Sequence, residues 1–409
     1  MQLKQKHIVI NNEKGIVLVV VIMLMAVLVL LGTTAIMVTT TDMKISSNYR
    51  SGSQAFYIAE AGIEQARAKL RTDTGTDSLT TLLEARVVGG DGALSDSSII
   101  ANFYSNGGFV TDDVAYIANT AFGAGSYCVY LTNDVPDTVT STTDTNKRVT
   151  LTSFGQGPNN SFAIIQSVVQ KLTLPPLPGA IVLPGPTVVY KGANSNASSV
   201  AGGSGSESAI SLTSLEAESS VEKYLTDINR IDKYTCNGGS GSGVDCIKKE
   251  PAELFDPAYS TLSGINNLYN TIKSVADTVL TGPRNLTAAE IGTTEARKIV
   301  VVDGAAEVQG ITGAGILVVT GTLTLSGSFN YNGFIMCIGQ GHLVRNGGGS
   351  GEIKGGIFVA NTNDATSDTV LGIPTFDTSG GGNSNIIYDG SQINPPGGGP
   401  FIKLSWKQI

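Results

Sequence analysis

The chain has 409 residues, of which 15% are charged and 50 are glycine, and it carries a formal charge of -8. That length leaves room for more than one folded part, and a Gly-rich, charge-poor mix suits short strands and tight turns better than long soluble helices. The acidity, without clustered Lys or Arg, excludes nucleic-acid recognition, which rests on neutralising phosphates.

In chain order, the first element is an apolar span. From Ile16 to Thr41 there is no charged residue, and at about 1.5 Å per residue the stretch is long enough to cross a hydrocarbon core of about 30 Å. Lys4, Lys6 and Lys14 precede it with Glu13, so the positive-inside bias keeps the N-terminus cytoplasmic and sends everything after Asp42 outward. A secretory signal peptide needs a shorter apolar run followed by an A-x-A site, and neither is present. An uncleaved single-pass anchor fits the hydropathy. So does a third arrangement: the charged segment 1–15 ends in Gly15 directly before Ile16, the boundary that prepilin peptidase reads before it retains the helix. Hydropathy leaves these two open.

Beyond the span the sequence turns amphipathic. Phe56, Ala59, Ile63, Ala66 and Leu70 step by three and four residues and fall on one helical stripe. Glu64 and Arg67 are spaced for a weak intrahelical pair, and Ser51-Gly52-Ser53 is the place where the rod is expected to bend or locally unwind. One helix is predicted over 16–71, with 16–41 its membrane-spanning half. The order of a Gly-terminated leader, a long apolar helix, T-T-D-x-K-I-x-x-N-Y-R and then Gln54-Ala55-Phe56-Tyr57-x-Ala59-Glu60-Ala61-Gly62 resembles the N-terminal domain of PilX-type minor pilins of the type IV pilus and type II secretion class. The resemblance implies cleavage between Gly15 and Ile16, N-methylation of Ile16, and helices packed in a pilus or pseudopilus shaft. It also implies the inner membrane, prepilin peptidase, other pilins and the assembly platform as partners, with a later location on the pilus, at the cell surface or in the periplasm. The fifth mature residue is Val20, where major pilins carry a Glu that neutralises a neighbouring amine. That departure points to a minor, priming or tip position rather than the main shaft.

Residues 72–178 mix short apolar runs with Thr, Asp and Gly, which reads as a small pilin-like β region packed on the exposed half of the helix. Pro175-Pro176-Leu177-Pro178-Gly179 marks a boundary, and 179–409 reads as a Gly-rich, mostly β domain. There, Ile299–Val302, Ile316–Val319, Phe334–Cys337 and Ile357–Ala360 are wholly apolar runs recurring at roughly 20-residue intervals, as in repeat architectures. Such runs imply burial on both faces or the interior of a solenoid, and a parallel β-helix is favoured over a Gly-rich antiparallel sandwich. Lys191–Ser211 reads as a mobile loop, and Leu215–Leu225 and Thr261–Val279 as helical excursions. The fold class is α+β.

Of the four cysteines, Cys236 and Cys246 flank a flexible loop that a disulfide would close at low entropic cost, while Cys337, inside an apolar run, reads as a buried free thiol. No CxxC, GxSxG, GK[ST] or HExxH occurs, so the common zinc, hydrolase and nucleotide routes have no support and no cofactor or metal is expected. His342 reads as a surface residue in a Gly-rich turn. Asp112 with Asp113 and Asp137 with Asp144 fit solvated loops better than calcium ligands. The primary expectation is a non-enzymatic minor pilin that displays its β domain. The alternatives are a non-polymerising bitopic surface protein and a tethered carbohydrate-active enzyme using scattered carboxylates.

Overall fold

The computed structural model describes residues 14–74, 78–85, 99–101, 115–134, 137, 141–346, 348–380, 382–394 and 400–409. Its first element, helix α1 (Lys14–Asp73), runs unbroken for 60 residues, about 90 Å at the α-helical rise. Thr34, Thr39, Thr40 and Thr41 would be polar blemishes in an apolar rod. Each hydroxyl instead donates to the carbonyl four residues earlier, which hides the group inside the helix's own backbone. The expected break at Ser51-Gly52-Ser53 is not there. Ser51 is buried, its carbonyl accepts from Ser161 at 2.9 Å and its hydroxyl accepts from Asn159 at 3.1 Å, so a turn from the sheet braces the helix where its composition is weakest.

From Ser51 onward α1 lies on a five-stranded antiparallel sheet. In spatial order the strands are Ile117–Phe122, Gly125–Asn133, Arg148–Gln156, Phe162–Lys171 and Phe401–Gln408. Alternation along Gly125–Asn133 sends Tyr127, Val129 and Leu131 toward Ala59, Ile63 and Leu70 of the helix. Cys128 and Tyr130 go to the opposite face with Phe154, Ile164 and Ile99, so both faces carry apolar residues. The fifth strand departs from the expected division at residue 178. Phe401–Gln408 pairs antiparallel with Phe162–Lys171, and the Leu172 N–H donates to the Pro400 carbonyl at 2.8 Å. The Gly-rich region is therefore an insertion into this antiparallel unit, which local sequence pattern, being short-range, does not reveal.

Within the insertion, strands taken in chain order from Thr278 to Tyr388 fall alternately into two parallel sheets. Val300, Leu317, Ile335, Ile357, Ile181, Ile210 and Ile247 lie in one continuous register ladder and share the larger core. Their neighbours Val301, Val318, Met336, Phe358 and Val182 face the other way, under Tyr259, Ile265, Leu268 and Ile272. This is why the runs lack a polar alternate: the sheet is covered on both faces. Gly315, Gly333 and Gly355 stack in the same ladder with φ of +126°, +150° and +137°. A Cβ on Gly333 would collide with the Gly315 carbonyl oxygen, and one on Gly355 with that of Gly333, so only glycine lets the strands approach here.

Two further expectations are corrected. Lys191–Ser211 is not one loop: Val189–Lys191, Ser199–Ala201 and Ser208–Leu212 are strands of the parallel sheets. Their serines are compatible with burial because they find partners, Ser208 and Ser211 both donating to the buried Glu250 at 2.5 and 3.4 Å. The helix expected over Thr261–Val279 spans Leu262–Ser274, and Thr278–Thr281 is a strand paired with Lys298–Asp303. The β-branched Thr278 and Val279 suit that ladder better than a helix end. At the far end of the same strand, Asp303 accepts from Lys273 at 2.7 Å and from Tyr269 at 2.5 Å, tying the covering helix to the sheet.

Candidate functional site

The first half of α1 packs against nothing in its own chain. Every residue from Ile16 to Arg50 is exposed, and the helix is long and apolar enough to cross a membrane. Gly15 lies in the helical backbone and Ile16 is 68% exposed; residues 1–13 of the expected leader lie outside the described residues.

The second half of α1 explains the Gln54–Gly62 motif. Ala55, Ala59 and Gly62 form a track of small residues, and strand residue Gly155 faces it: a Cβ there would meet the Ala55 carbonyl oxygen and, at 2.8 Å, the Ala59 Cβ. A Cβ on Gly62 would meet the Ser153 hydroxyl and, at 3.0 Å, the Tyr127 ring. Helix and sheet therefore touch at backbone distance, and small residues on both sides are what permits it. Phe56 is half-buried edge-on to Trp406 at 5.6 Å, Tyr57 is exposed, and Gln54, Glu60 and Ala61 sit at the margin of the contact. Arg67 accompanies the motif by reaching Glu64 at 2.6 Å and the Phe401 carbonyl at 2.8 Å. One side chain thus fastens the helix to the C-terminal strand, a role that the spacing of Glu64 and Arg67 hinted at only in its local half.

Cys236 and Cys246 are joined by a disulfide across a separation of 10 residues. Cys128 and Cys337 are both buried outside that disulfide, and burial pushes the Cys337 thiol well above its ordinary pKa. Asp112 and Asp113 lie outside the described residues. The Asp137 carboxylate accepts from the backbone and hydroxyl of Thr145, which hold it below the usual carboxylate range, whereas burial raises Asp144, which accepts from the Arg148 N–H. These bonds close a turn. His342 opens the strand His342–Asn346 instead of standing in a turn.

Where the end of α1, the antiparallel sheet and the insertion meet, they enclose a cleft of about 290 Å³. Arg71, Lys147, Lys171, Arg297 and Lys298 line it above an apolar floor that includes Leu174, Ile299 and Ile316. Arg71 is bidentate to Asp277 at 2.5 and 2.9 Å and also donates to the Arg297 carbonyl at 2.8 Å. Asp277 in turn accepts from the Ile299 N–H at 2.7 Å, so the junction is pinned by charge-assisted bonds. Sequence reasoning missed this cleft because its cations come from four separate stretches of chain.

The PilX N-terminal family matches residues 14–64. Residues 14–64 are thus similar to a PilX-type N-terminus, and the similarity is confined to this segment. The match covers the exposed half of the helix and the small-residue track as far as Glu64, and leaves the insertion outside it. No curated protein matches the chain. Among solved structures, the competence-associated pilin ComZ from Thermus thermophilus aligns at 13% identity over 88% of this chain and 97% of its own, with a TM-score of 0.21. Val20 of α1 is an exposed apolar residue within an apolar run, and the helix carries no carboxylate between Ile16 and Thr41.

Proposed function

We propose that the protein is a non-enzymatic PilX-type minor pilin. Prepilin peptidase cuts between Gly15 and Ile16 at the inner membrane, Ile16 is N-methylated, and the helix joins or primes a type IV pilus or pseudopilus that presents the insertion outside. The observation that carries this reading is the division of one unbroken helix into an apolar half left bare by its own chain and a half sealed onto the sheet through the PilX motif. A bare apolar helix needs either lipid or like helices around it. In the insertion, strands that alternate between two parallel sheets support a solenoid-like display domain. The junctional cleft carries cations rather than the paired carboxylates of glycoside hydrolysis, which favours the pilin reading over a tethered enzyme.

Mass spectrometry of the N-terminal peptide tests the proposal. The expected first residue is methylated Ile16, with processing lost in Gly15→Val and the mature protein recovered with sheared fibres. A purified protein that still begins at Met1 would reduce the chain to a plain bitopic anchor.

A further inference from the structure

In the core shared by the two parallel sheets, one inward position breaks the apolar pattern. Register carries Val308 to Leu325 and Leu325 to Arg345, so a guanidinium stands where the preceding strands place aliphatic side chains. Arg345 is 3% exposed and its Nε has no hydrogen-bond partner. Its Nη2 reaches only the carbonyls of Gly327 and Gly349, at 3.5 and 3.4 Å, beyond the usual range for such bonds. Neither acceptor is charged, and a buried cation held only by weak neutral partners is costly. A second orphan lies one strand away. Gly351 and Ser384 are register partners, and a Cβ on Gly351 would meet the Arg345 Nη2 at 3.0 Å. Paired parallel strands lie about 4.8 Å apart with partner side chains on one face, which puts the Ser384 side chain beside the guanidinium. Ser384 is buried, and its hydroxyl too has no partner.

Ser384 lines a cavity of about 10 Å³, room for a single water-sized occupant. So does Thr378, which follows Arg345 across the other sheet one residue past the register pair Val344 and Asp377. The cavity is rich in donors. Tyr190 and Tyr234, also in its lining, are bonded hydroxyl to hydroxyl at 2.6 Å, which uses one phenolic proton and leaves the other. Burial raises both phenols, Tyr234 to about 12, so neither proton is lost near neutrality. Arg230 and Lys233 stand at the wall; Arg230 donates to the carbonyls of Asn194 and Asn229, and Lys233 pairs with Asp232 at 3.3 Å. No carboxylate is among the described lining residues. Water would bring two more protons to a site short of acceptors, whereas a monatomic anion only accepts and also offsets the guanidinium. We propose that the cavity is a halide site, in which a chloride-sized anion accepts from the Ser384 hydroxyl and the tyrosine pair while Arg345 supplies the countercharge. Phosphate, sulfate and carboxylates are too large for it. The inference stands independently of the pilin reading, since none of these residues belongs to α1 or to the sheet beneath it.

Thermal melts of the full chain in non-ionic detergent test it, with sodium chloride and sodium bromide compared against sodium gluconate at matched ionic strength. The halides are expected to raise Tm saturably, by about 3–6 °C at a concentration 10-fold above half-saturation, and gluconate, which cannot enter, to give no saturable rise. Ser384→Ala is expected to raise the half-saturating concentration at least about 10-fold, through loss of a hydrogen bond to a charged partner. Arg345→Met, similar in length but uncharged, is expected to abolish the saturable rise. Anomalous diffraction from crystals grown in bromide is expected to place one bromide within hydrogen-bond distance of Ser384, and this result decides alone should neither variant fold. Equal effects of gluconate and chloride, an unchanged halide midpoint in both variants, or an ordered water only at that position would overturn the proposal.

Discussion

Two glycine-to-alanine exchanges, identical in chemistry, should move stability in opposite directions. Gly155 lies in a strand at ordinary φ, so an alanine there gains β propensity and reduces the entropy of the unfolded chain by about 0.4–1 kcal/mol. Against that, its Cβ would come within 2.5 Å of the Ala59 backbone nitrogen and 2.8 Å of the Ala59 Cβ, where ordinary contacts are about 3.5–4.0 Å. Helix backbone cannot rotate aside, so α1 must lift by about 1 Å, which forfeits a quarter to a half of the dispersion attraction along the contact. Overpacking of this kind costs about 1–3 kcal/mol, and the clash wins. Gly52 has nothing within 4 Å of its Cβ position, so Gly52→Ala in the helix interior gains roughly 0.5–1 kcal/mol. At about 2–4 °C per kcal/mol, Gly155→Ala should lower Tm by about 2–12 °C and Gly52→Ala raise it by about 1–4 °C. Far-UV circular dichroism melts of the full chain in non-ionic detergent read both. If Gly155→Ala melts at or above the unaltered protein, the helix does not sit on the sheet at backbone distance and the account of the PilX motif fails.

Further outcomes follow from the insertion. Gly333→Ala, at φ +150° and against the Gly315 carbonyl, should destabilise it by at least about 2 kcal/mol, seen as a lower denaturant midpoint; an unchanged midpoint would contradict the stacked-glycine ladder. Burial works to raise the Asp303 carboxylate, but hydrogen bonds from Lys273 and Tyr269 outweigh it and hold the group below its ordinary value of 3.8. A depressed carboxylate stabilises above its unfolded pKa and loses that contribution as pH falls through the folded one. The Lys273 ammonium is raised to about 12, first by its bond to Asp303, so its share is complete below 10.5 and lost as pH rises past about 12. The Tm difference between the unaltered protein and Asp303→Asn should therefore be flat from about pH 6 to 9 and shrink progressively as pH falls below 3.8. A difference that persists into acid would show that the ion pair is not its source.

What could be read from sequence was local. The charge-free span, the helical stripe and the four apolar runs each state their environment through period and composition alone, and α1, its buried face and the doubly covered sheet follow from them. Pairing between distant segments is not written in that way. Phe401–Gln408 alternates as a strand should, Ile402, Leu404 and Trp406 against Lys403, Ser405 and Lys407, but that pattern does not say that it leaves the Gly-rich region for the sheet beneath α1, and the strand Ser208–Leu212, inside a Ser- and Gly-rich stretch, looks like a loop until Glu250 supplies its serines with an acceptor. The cleft is the extreme case, for no window of sequence contains more than two of its cations.

Because the Leu172 amide and the Pro400 carbonyl are joined by one hydrogen bond of 2.8 Å, the two crossings between platform and insertion lie side by side. Everything between them is cargo carried on a platform that closes its own sheet without it. Insertions whose ends meet in this way are tolerated and exchanged most readily. The Gly-rich body can accordingly be enlarged, replaced or shed as a cassette while the helix and its sheet remain intact.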